Sequence, residues 1–432
     1  MGQGSENGST LPAFRTSPMR ERVLGEVHAR PFRPLAGPRT ILHYAFLANT
    51  EEAAADQAWL SEFCVSRGAP GPAPGTRHHT LSFGGGTLSW EQHAEFITYT
   101  WDGAARADRI FGDLPAAHPF GAAFRAPGDL LVAVRLELRD PAEETDWRGH
   151  FEESSLTVST LEDGAALAAT DFRQDGDGLT RILVFNRSLS DVQAGAVVQR
   201  LLEIETYRTL AMLGLFEASG LQPGIRRAEI ELAELTGQMK DASALGANQE
   251  LLDKFTELAA VLEAGATASS FRFGASRAYD EIVKARFATL NEAAAPGELS
   301  MSSFLGRRLA PAMRTCQAIE DRQAMLSQKL ARATTLLRTR VDVELERQNR
   351  SLLQSMNRRA RLQLRLQQTV EGLSVAAVSY YVVGLISYLA KAAKDAGLPV
   401  PNANITTGLA VPLVVLLIWW VVRRIRKHHT GE

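Results

Sequence analysis

The residues best suited to chemistry lie in one short run, GEVHARPFRPL at positions 25–35, which sets an acid, a histidine and two arginines against two prolines. Two chemistries suit that set. Glu26 and His28 could form a proton-transfer dyad, and His28, Arg30 and Arg33 could present a basic edge to an anion. Helical geometry bears on the choice. Ser17 followed by Pro18 is a good helix start, with a side-chain cap and a proline at the first helical position. Met19, Val23 and Val27 then fall on one face, and Arg22, Glu26 and Arg30 on another. Two residues along a helix is about 200° of rotation, so Glu26 and His28 point apart. Pro31 should end the helix and push Arg30 toward an extended conformation. The run reads as a helix stop with an ion-paired flank and a basic turn, or as an anion-binding edge built on His28, Arg30 and Arg33. No residue is assigned a catalytic role.

Seven of the nine histidines fall in the first 150 residues: His28, His43, His78, His79, His93, His118 and His150. No HExxH, paired HxxxH or CxxC spacing organises them. His78 and His79 adjoin at a strand start, so their side chains point to opposite faces. His43 and His93 read as ordinary strand residues, and scattered structural histidines are expected rather than a ligand cluster. The glycines of FGGGTLSW are flanked by strands, so they do not make a phosphate loop. QDGDG lacks the later glutamate and the helices of a calcium loop. No nucleophile-elbow or kinase-like set is present. Cys64 and Cys316 are too few and too far apart for a zinc knuckle or a disulfide framework, which fits a reducing, cytosolic setting for the bulk of the chain. No metal ligand set and no cofactor is expected, with a divalent ion left open.

The elements that must position these groups change character along the chain. Residues 1–16 are rich in Gly, Ser and Asn and carry no apolar leader segment, so a disordered start is expected. A β-rich run at 40–48 precedes a helical stretch from Glu51. Strands are expected at 78–83, 87–91 and 94–101, then within DLLVAVRLEL, SLTVSTLE, AALAATDFR and LTRILVFN, the last two joined as a hairpin by QDGDG. Helical patterns take over at 190–218, 226–239, 246–264 and 267–291, with Ser190 as an N-cap. The fold class expected is an α+β cytosolic domain, then a helical layer with one very long helix, ending in a two-helix transmembrane hairpin.

That long helix starts near Met301. Leu326, Leu330, Ala333, Leu337, Val341, Leu345, Leu352 and Met356 recur at three, four or seven residues, a sustained though imperfect heptad-like seam that suggests a coiled coil. Charge is segregated beneath a net charge of −2: residues 221–300 hold 8 Lys/Arg against 12 Asp/Glu, and residues 301–370 hold 14 against 5. A basic block beside an apolar segment suits anionic lipid headgroups. No nucleic-acid partner is expected.

Two runs without a charge close the chain, at 372–390 and 405–422, each long enough to span a bilayer. Arg358, Arg359, Arg361 and Arg365 precede the first, and Arg423, Arg424, Arg426 and Lys427 follow the second, all placed to meet lipid headgroups. The excess of positive charge puts both termini on the cytoplasmic side. Gly372, Ala376, Tyr380, Gly384 and Tyr388 recur every four residues, a stripe suited to a helix–helix interface or to the lining of a pore.

EVHARPFRPL near the start, with SYYVVGLISYLAKA in the first span, resembles the bacterial membrane-anchored family known as domain of unknown function 3422. Its members share a Glu-x-His-Ala-Arg-Pro run and a YY-x-x-GL-x-x-YL-x-K run and look like this over nearly the whole chain. The resemblance implies an inner-membrane protein and no particular activity. In architecture alone the chain is also similar to CorA-type metal-ion transporters, which are homo-pentamers with a Gly-Met-Asn signature at the outer end of the first span. GLISYLAKA stands there instead, and the following loop is weakly basic where those proteins often carry acids.

The organisation expected is a disordered 1–16, an α+β domain over 17–188, a helical stalk over 189–370, a hairpin over 371–422 and a basic tail over 423–432. The function expected is an inner-membrane-anchored sensing or binding module, homo-oligomeric through its long helices, with the bilayer as partner. A CorA-like divalent-ion channel and a membrane-tethered hydrolase or metal-dependent enzyme are the alternatives.

Overall fold

A computed structural model describes residues 17, 19–20, 23–24, 32–106, 109–141, 147–242, 244–397 and 403–429. The segment expected to be disordered, 1–16, and the stretch with His28 and Arg30 lie outside the described residues. The Ser17 start is seen: the Met19 N–H donates to Ser17 Oγ at 3.3 Å, and the Val23 N–H to the Met19 carbonyl.

The chain divides into two compact units, residues 1–236 with 255–332 and residues 237–254 with 333–432. The first is built on a nine-stranded sheet: β1 (Arg39–Leu47), β2 (His78–Phe83), β3 (Gly86–Gln92), β4 (Phe96–Ala104), β5 (Asp129–Arg139), β6 (Thr157–Leu161), β7 (Ala166–Thr170), β8 (Thr180–Asn186) and β9 (Ala293–Ala294). Their order across the sheet is β2-β3-β4-β1-β5-β8-β7-β6-β9. Neighbours are antiparallel except β5 and β8. The expected strands are present, and β7 and β8 pair as the hairpin that QDGDG suggested. The two-residue β9, which pairs with β6, had no expectation.

Among the described residues five α-helices have full ranges: α1 (Thr50–Val65), α2 (Asp191–Asp241), α3 (Leu245–Thr289), α4 (Met301–Asp395) and α5 (Ala403–His429). A capping box starts α1: Asn49 Oδ1 accepts from the Glu51 and Glu52 amides, and Glu52 Oε2 accepts from the Asn49 amide at 2.8 Å. At α2, Ser190 caps reciprocally with Gln193, whose Oε1 accepts from the Ser190 amide at 3.0 Å. The sequence suggested separate helices on either side of Gly220–Gly224 and of Gly265. Instead α2 runs through Pro223 and α3 through Gly265. Ile225, Ala228, Leu232 and Leu235 carry the buried face of α2 onward past the proline, and burial overrides the local breakers.

Each face of the sheet carries a core. On one, Leu42, Phe46, Trp90, Tyr99 and Trp101 pack with Leu60 and Phe63 of α1. On the other, Ile41, Val134, Leu136 and Val184 meet α2 through Val197 and Leu201, and Phe287 of α3 and Leu305 of α4 join the same core. Gly214 of α2 sits where a Cβ would lie 2.6 Å from Ser276 Oγ of α3 and 3.1 Å from Cys316 Sγ of α4, so three helices converge on a site that admits no side chain. In α4 the seam is buried at Leu326, Leu330, Ala333, Leu337 and Val341, but Leu345, Leu352 and Met356 are at least 40% exposed.

Candidate functional site

Alternation in β4 makes the site. Ile97, Tyr99 and Trp101 point into the α1 core, which leaves Phe96, Thr98, Thr100 and Asp102 on the opposite face. The helical core covers that face over β1, β5 and β8. Over β2, β3 and β4 it stays open, and the N-terminal half of α2 stands beside it as a wall. The result is a groove of about 540 Å³ within the first unit.

Register aligns its floor. His43 of β1 lies opposite Thr100 of β4, Thr100 opposite Ser89 of β3, and Ser89 opposite Thr80 of β2. One straight row of polar side chains therefore crosses four strands, with neighbouring Cβ atoms about 5 Å apart. A second row runs beside it from Thr98 through Glu91 to His78. Val198, Leu202 and Tyr207 of α2 supply an apolar wall with Phe96, and Phe32, Arg33 and Leu35 form a strap along the rim. The strap is held by the Leu35 N–H, which donates to the Asp191 carbonyl at 2.9 Å. A Cβ on Gly195 would lie 1.8 Å from the Arg33 carbonyl oxygen, so only glycine lets the strap pass this close to the helix.

His43 has a defined state. Burial pushes its pKa down to about 4, so the ring is neutral at neutral pH. Thr206 has one hydroxyl proton and donates it to the Leu202 carbonyl at 2.8 Å. Thr206 must therefore accept from His43 Nε2–H at 2.9 Å. The proton assignment follows: Nδ1 is the acceptor, and the Thr100 hydroxyl donates to it at 2.7 Å. Thr100 thus turns its proton away from the groove and offers only lone pairs to it.

The charged groups are paired. Arg33 Nη1 donates to Asp102 Oδ2 at 2.9 Å and approaches Ser89 Oγ at 3.5 Å. Arg39 bonds the other Asp102 oxygen at 3.3 Å. Arg286 of α3 pairs with Glu203 of α2, and His93 Nε2 lies 3.6 Å from Glu91. Arg33, Arg39 and Arg286 therefore balance Glu91, Asp102 and Glu203.

Of the residues singled out in the sequence as an anion edge, only Arg33 is described, and its guanidinium is bound to Asp102. His78 and His79 do face opposite ways: His78 lines the groove, and His79 pairs in register with Trp90 on the α1 side. The sequence reading missed that register gathers His43, His78 and His93 with four hydroxyls on one face. The available signal was the Ser and Thr at alternate strand positions, which reads as an ordinary solvated face. Among the described residues no three His, Cys, Asp or Glu side chains come together as a metal site.

In the second unit the stripe residues turn outward: Tyr380 is 78% and Tyr388 74% exposed, and Gly372 and Ala376 are exposed as well. Gly384 is half-buried. The buried residues in that part of α4 are Ser379 and Ala390, on another face. Arg358, Arg359, Arg361 and Arg365 are all exposed. The Arg423 and Arg424 guanidinium groups lie over the Trp419 and Trp420 rings, 4.9 and 5.2 Å from their centroids. The side chains of Arg426 and Lys427 lie outside the described residues.

Fold and site together define an α+β unit with a polar-floored groove, in a chain that ends in long helices with two apolar stretches. The chain matches the family model described as "Protein of unknown function (DUF3422)" over residues 15–429, and it belongs to that family. No curated protein and no solved structure matches it.

Proposed function

We propose that this protein is anchored in a bacterial inner membrane by the apolar parts of α4 and α5, and that the groove of its first unit binds a small molecule. The observation that carries the anchoring is exposure. Two helices are long and apolar enough to cross a bilayer, and only 6% of each apolar window is buried in the protein. Leu385, Leu389, Leu413 and Leu417 are each more than 60% exposed. At about 25 cal/mol per Å² of apolar surface, water is a costly solvent for such a surface and a lipid core is not. The arginines before the first window and after the second favour a cytoplasmic side for both termini. The Arg423–Trp419 and Arg424–Trp420 stacks suit the headgroup level.

The full chain should stay with membranes through an alkaline carbonate wash, and a C-terminal reporter should be active only in the cytoplasm. Release into the wash would refute anchoring.

Assembly of several copies is part of this proposal. Tyr380 and Tyr388 turn hydroxyl-bearing side chains outward from a segment that would lie in lipid, where a partner for them is needed. A second copy supplies one. The same exposed stripe favours a second reading, a CorA-like divalent-ion channel with the stripe around its axis. Liposomes carrying the protein would then pass Mg²⁺, Zn²⁺, Ni²⁺ or Co²⁺, and absence of flux for all four would refute it.

A further inference from the structure

We infer that the groove takes an uncharged, hydroxyl-bearing small molecule of the sugar or polyol class, with its hydroxyls on the Thr100–Ser89 row and an apolar face against Phe96 and Leu202. This rests on the proposal that the groove is a ligand site, and it narrows the chemistry of what enters.

Charge comes first. Arg33 and Arg286 line the groove with Glu91, Asp102 and Glu203, Arg39 reaches Asp102 from outside the lining to bring the charges level, and Arg33 and Arg286 are each held by an acid. An anionic ligand would have to break a pair or sit beside Glu91 and Glu203. A cationic one would compete with guanidinium groups already in place. A neutral molecule meets neither cost.

The proton arrangement then specifies a hydroxyl. Thr100 gives its proton to His43 Nδ1, so toward the groove it only accepts. Its register partner Ser89 accepts from Arg33, which leaves the Ser89 proton to donate. The two side chains stand about 5 Å apart. A single ligand hydroxyl between them donates to Thr100 and accepts from Ser89. An ether oxygen or a ketone does only half of this, and an ammonium only the other half.

Thr98 adds a second point of attachment. It is 6% exposed and lines the groove, and its hydroxyl makes no hydrogen bond to another described residue. The hydroxyl itself opens into the groove, where a ligand hydroxyl can bond it in place of water. Beside it Phe96, Leu202 and Val198 form an apolar surface. A pyranose or cyclitol ring has this mixed character, with hydroxyls at its edge and C–H groups on its face. The volume of about 540 Å³ admits one or two such rings.

The test uses the full chain in detergent and saturation-transfer NMR followed by calorimetry. The panel is neutral mono- and disaccharides and myo-inositol, their permethylated forms, sugar phosphates and a medium-chain fatty acid. Thr98→Val and Ser89→Ala are the variants, with thermal unfolding to confirm that each is folded. At least one neutral member should bind, its permethylated form should not, and each variant should weaken binding about tenfold, the value of one hydrogen bond. Tighter binding of a sugar phosphate or the fatty acid, lost in either variant, would overturn the ligand class and leave the groove as a binding site. Binding of neutral members that both variants leave unchanged would overturn the placement. No binding by any member would overturn both the class and the site.

Discussion

His43 and Thr206 are joined across the boundary between sheet and helix: imidazole Nε2–H donates to the threonine hydroxyl at 2.9 Å, between residues 163 positions apart. The bond locks the imidazole tautomer and therefore the direction in which Thr100 points its proton. Thr206→Val keeps the shape and removes the acceptor, leaving a buried N–H unpaired. The expected loss is about 1–3 kcal/mol, with Thr206→Ser close to wild type, read by urea unfolding followed through tryptophan fluorescence.

Two buried groups give the first unit opposing responses to acid. Burial lowers His43 from 6.5 to about 4, so its contribution is complete above pH 6.5 and lost as pH falls through 4. Burial raises Asp56 from 3.8 to about 6, against the Tyr99 and Trp90 hydrogen bonds, so its contribution is complete below 3.8 and lost as pH rises through 6. Each is worth on the order of 3 kcal/mol across its window. Between pH 4 and 6 they oppose each other. Asp56→Asn should therefore steepen the acid loss of stability between pH 6 and 4, measured as unfolding free energy against pH. A variant curve parallel to wild type would refute the assignment.

Glu137 on β5 is fully buried between Arg135 and Arg139 and accepts from the Phe111 amide at 3.0 Å. Arg139 goes on to the Arg106 and Arg109 carbonyls at 2.6 and 2.7 Å, so the triad also secures that loop. Glu137→Leu leaves two buried cations without a counter-charge. A loss of about 3–5 kcal/mol is expected, with early proteolysis near residues 106–111 as the local readout.

Gly195→Ala should dislodge the strap, because the new Cβ would meet the Arg33 carbonyl at 1.8 Å. Arg33 then leaves Asp102, and groove binding falls by more than the global stability does. Calorimetry beside thermal unfolding separates the two. Gly237→Ala, where a Cβ meets nothing within 4 Å, is the control and should be neutral or slightly stabilising.

The elements were legible in the sequence where one local rule governed them. Runs rich in β-forming residues and bounded by turn residues marked β1 to β8, Ser190 marked the start of α2, and the charge-free windows stood out by length alone. The groove was not legible, because it depends on which strands are neighbours. Thr80, Ser89 and Thr100 are 9 and 11 residues apart, with His43 37 residues before Thr80. Only the order β2-β3-β4-β1 turns four ordinary outward positions into a row. The strap was not legible: Pro31 announces a helix stop and a basic turn, and the path of residues 32–35 depends on Gly195, far along the chain. The seam of α4 was read correctly as apolar, yet its burial stops after Val341, which a repeat by itself does not disclose.

The small strand β9 has a mechanical meaning. Glu292 accepts from the Ser159 hydroxyl at 2.6 Å, Ala295 and Leu299 bond to Val158, and the Met301 amide donates to Ser159 Oγ at 3.0 Å. The first residue of a 95-residue helix is thereby stitched to the rim of the sheet by main-chain and hydroxyl bonds rather than left on a free tether. A load on the start of α4 would therefore meet the edge strand β6 through these bonds and the helical core through Met301 and Leu305 together.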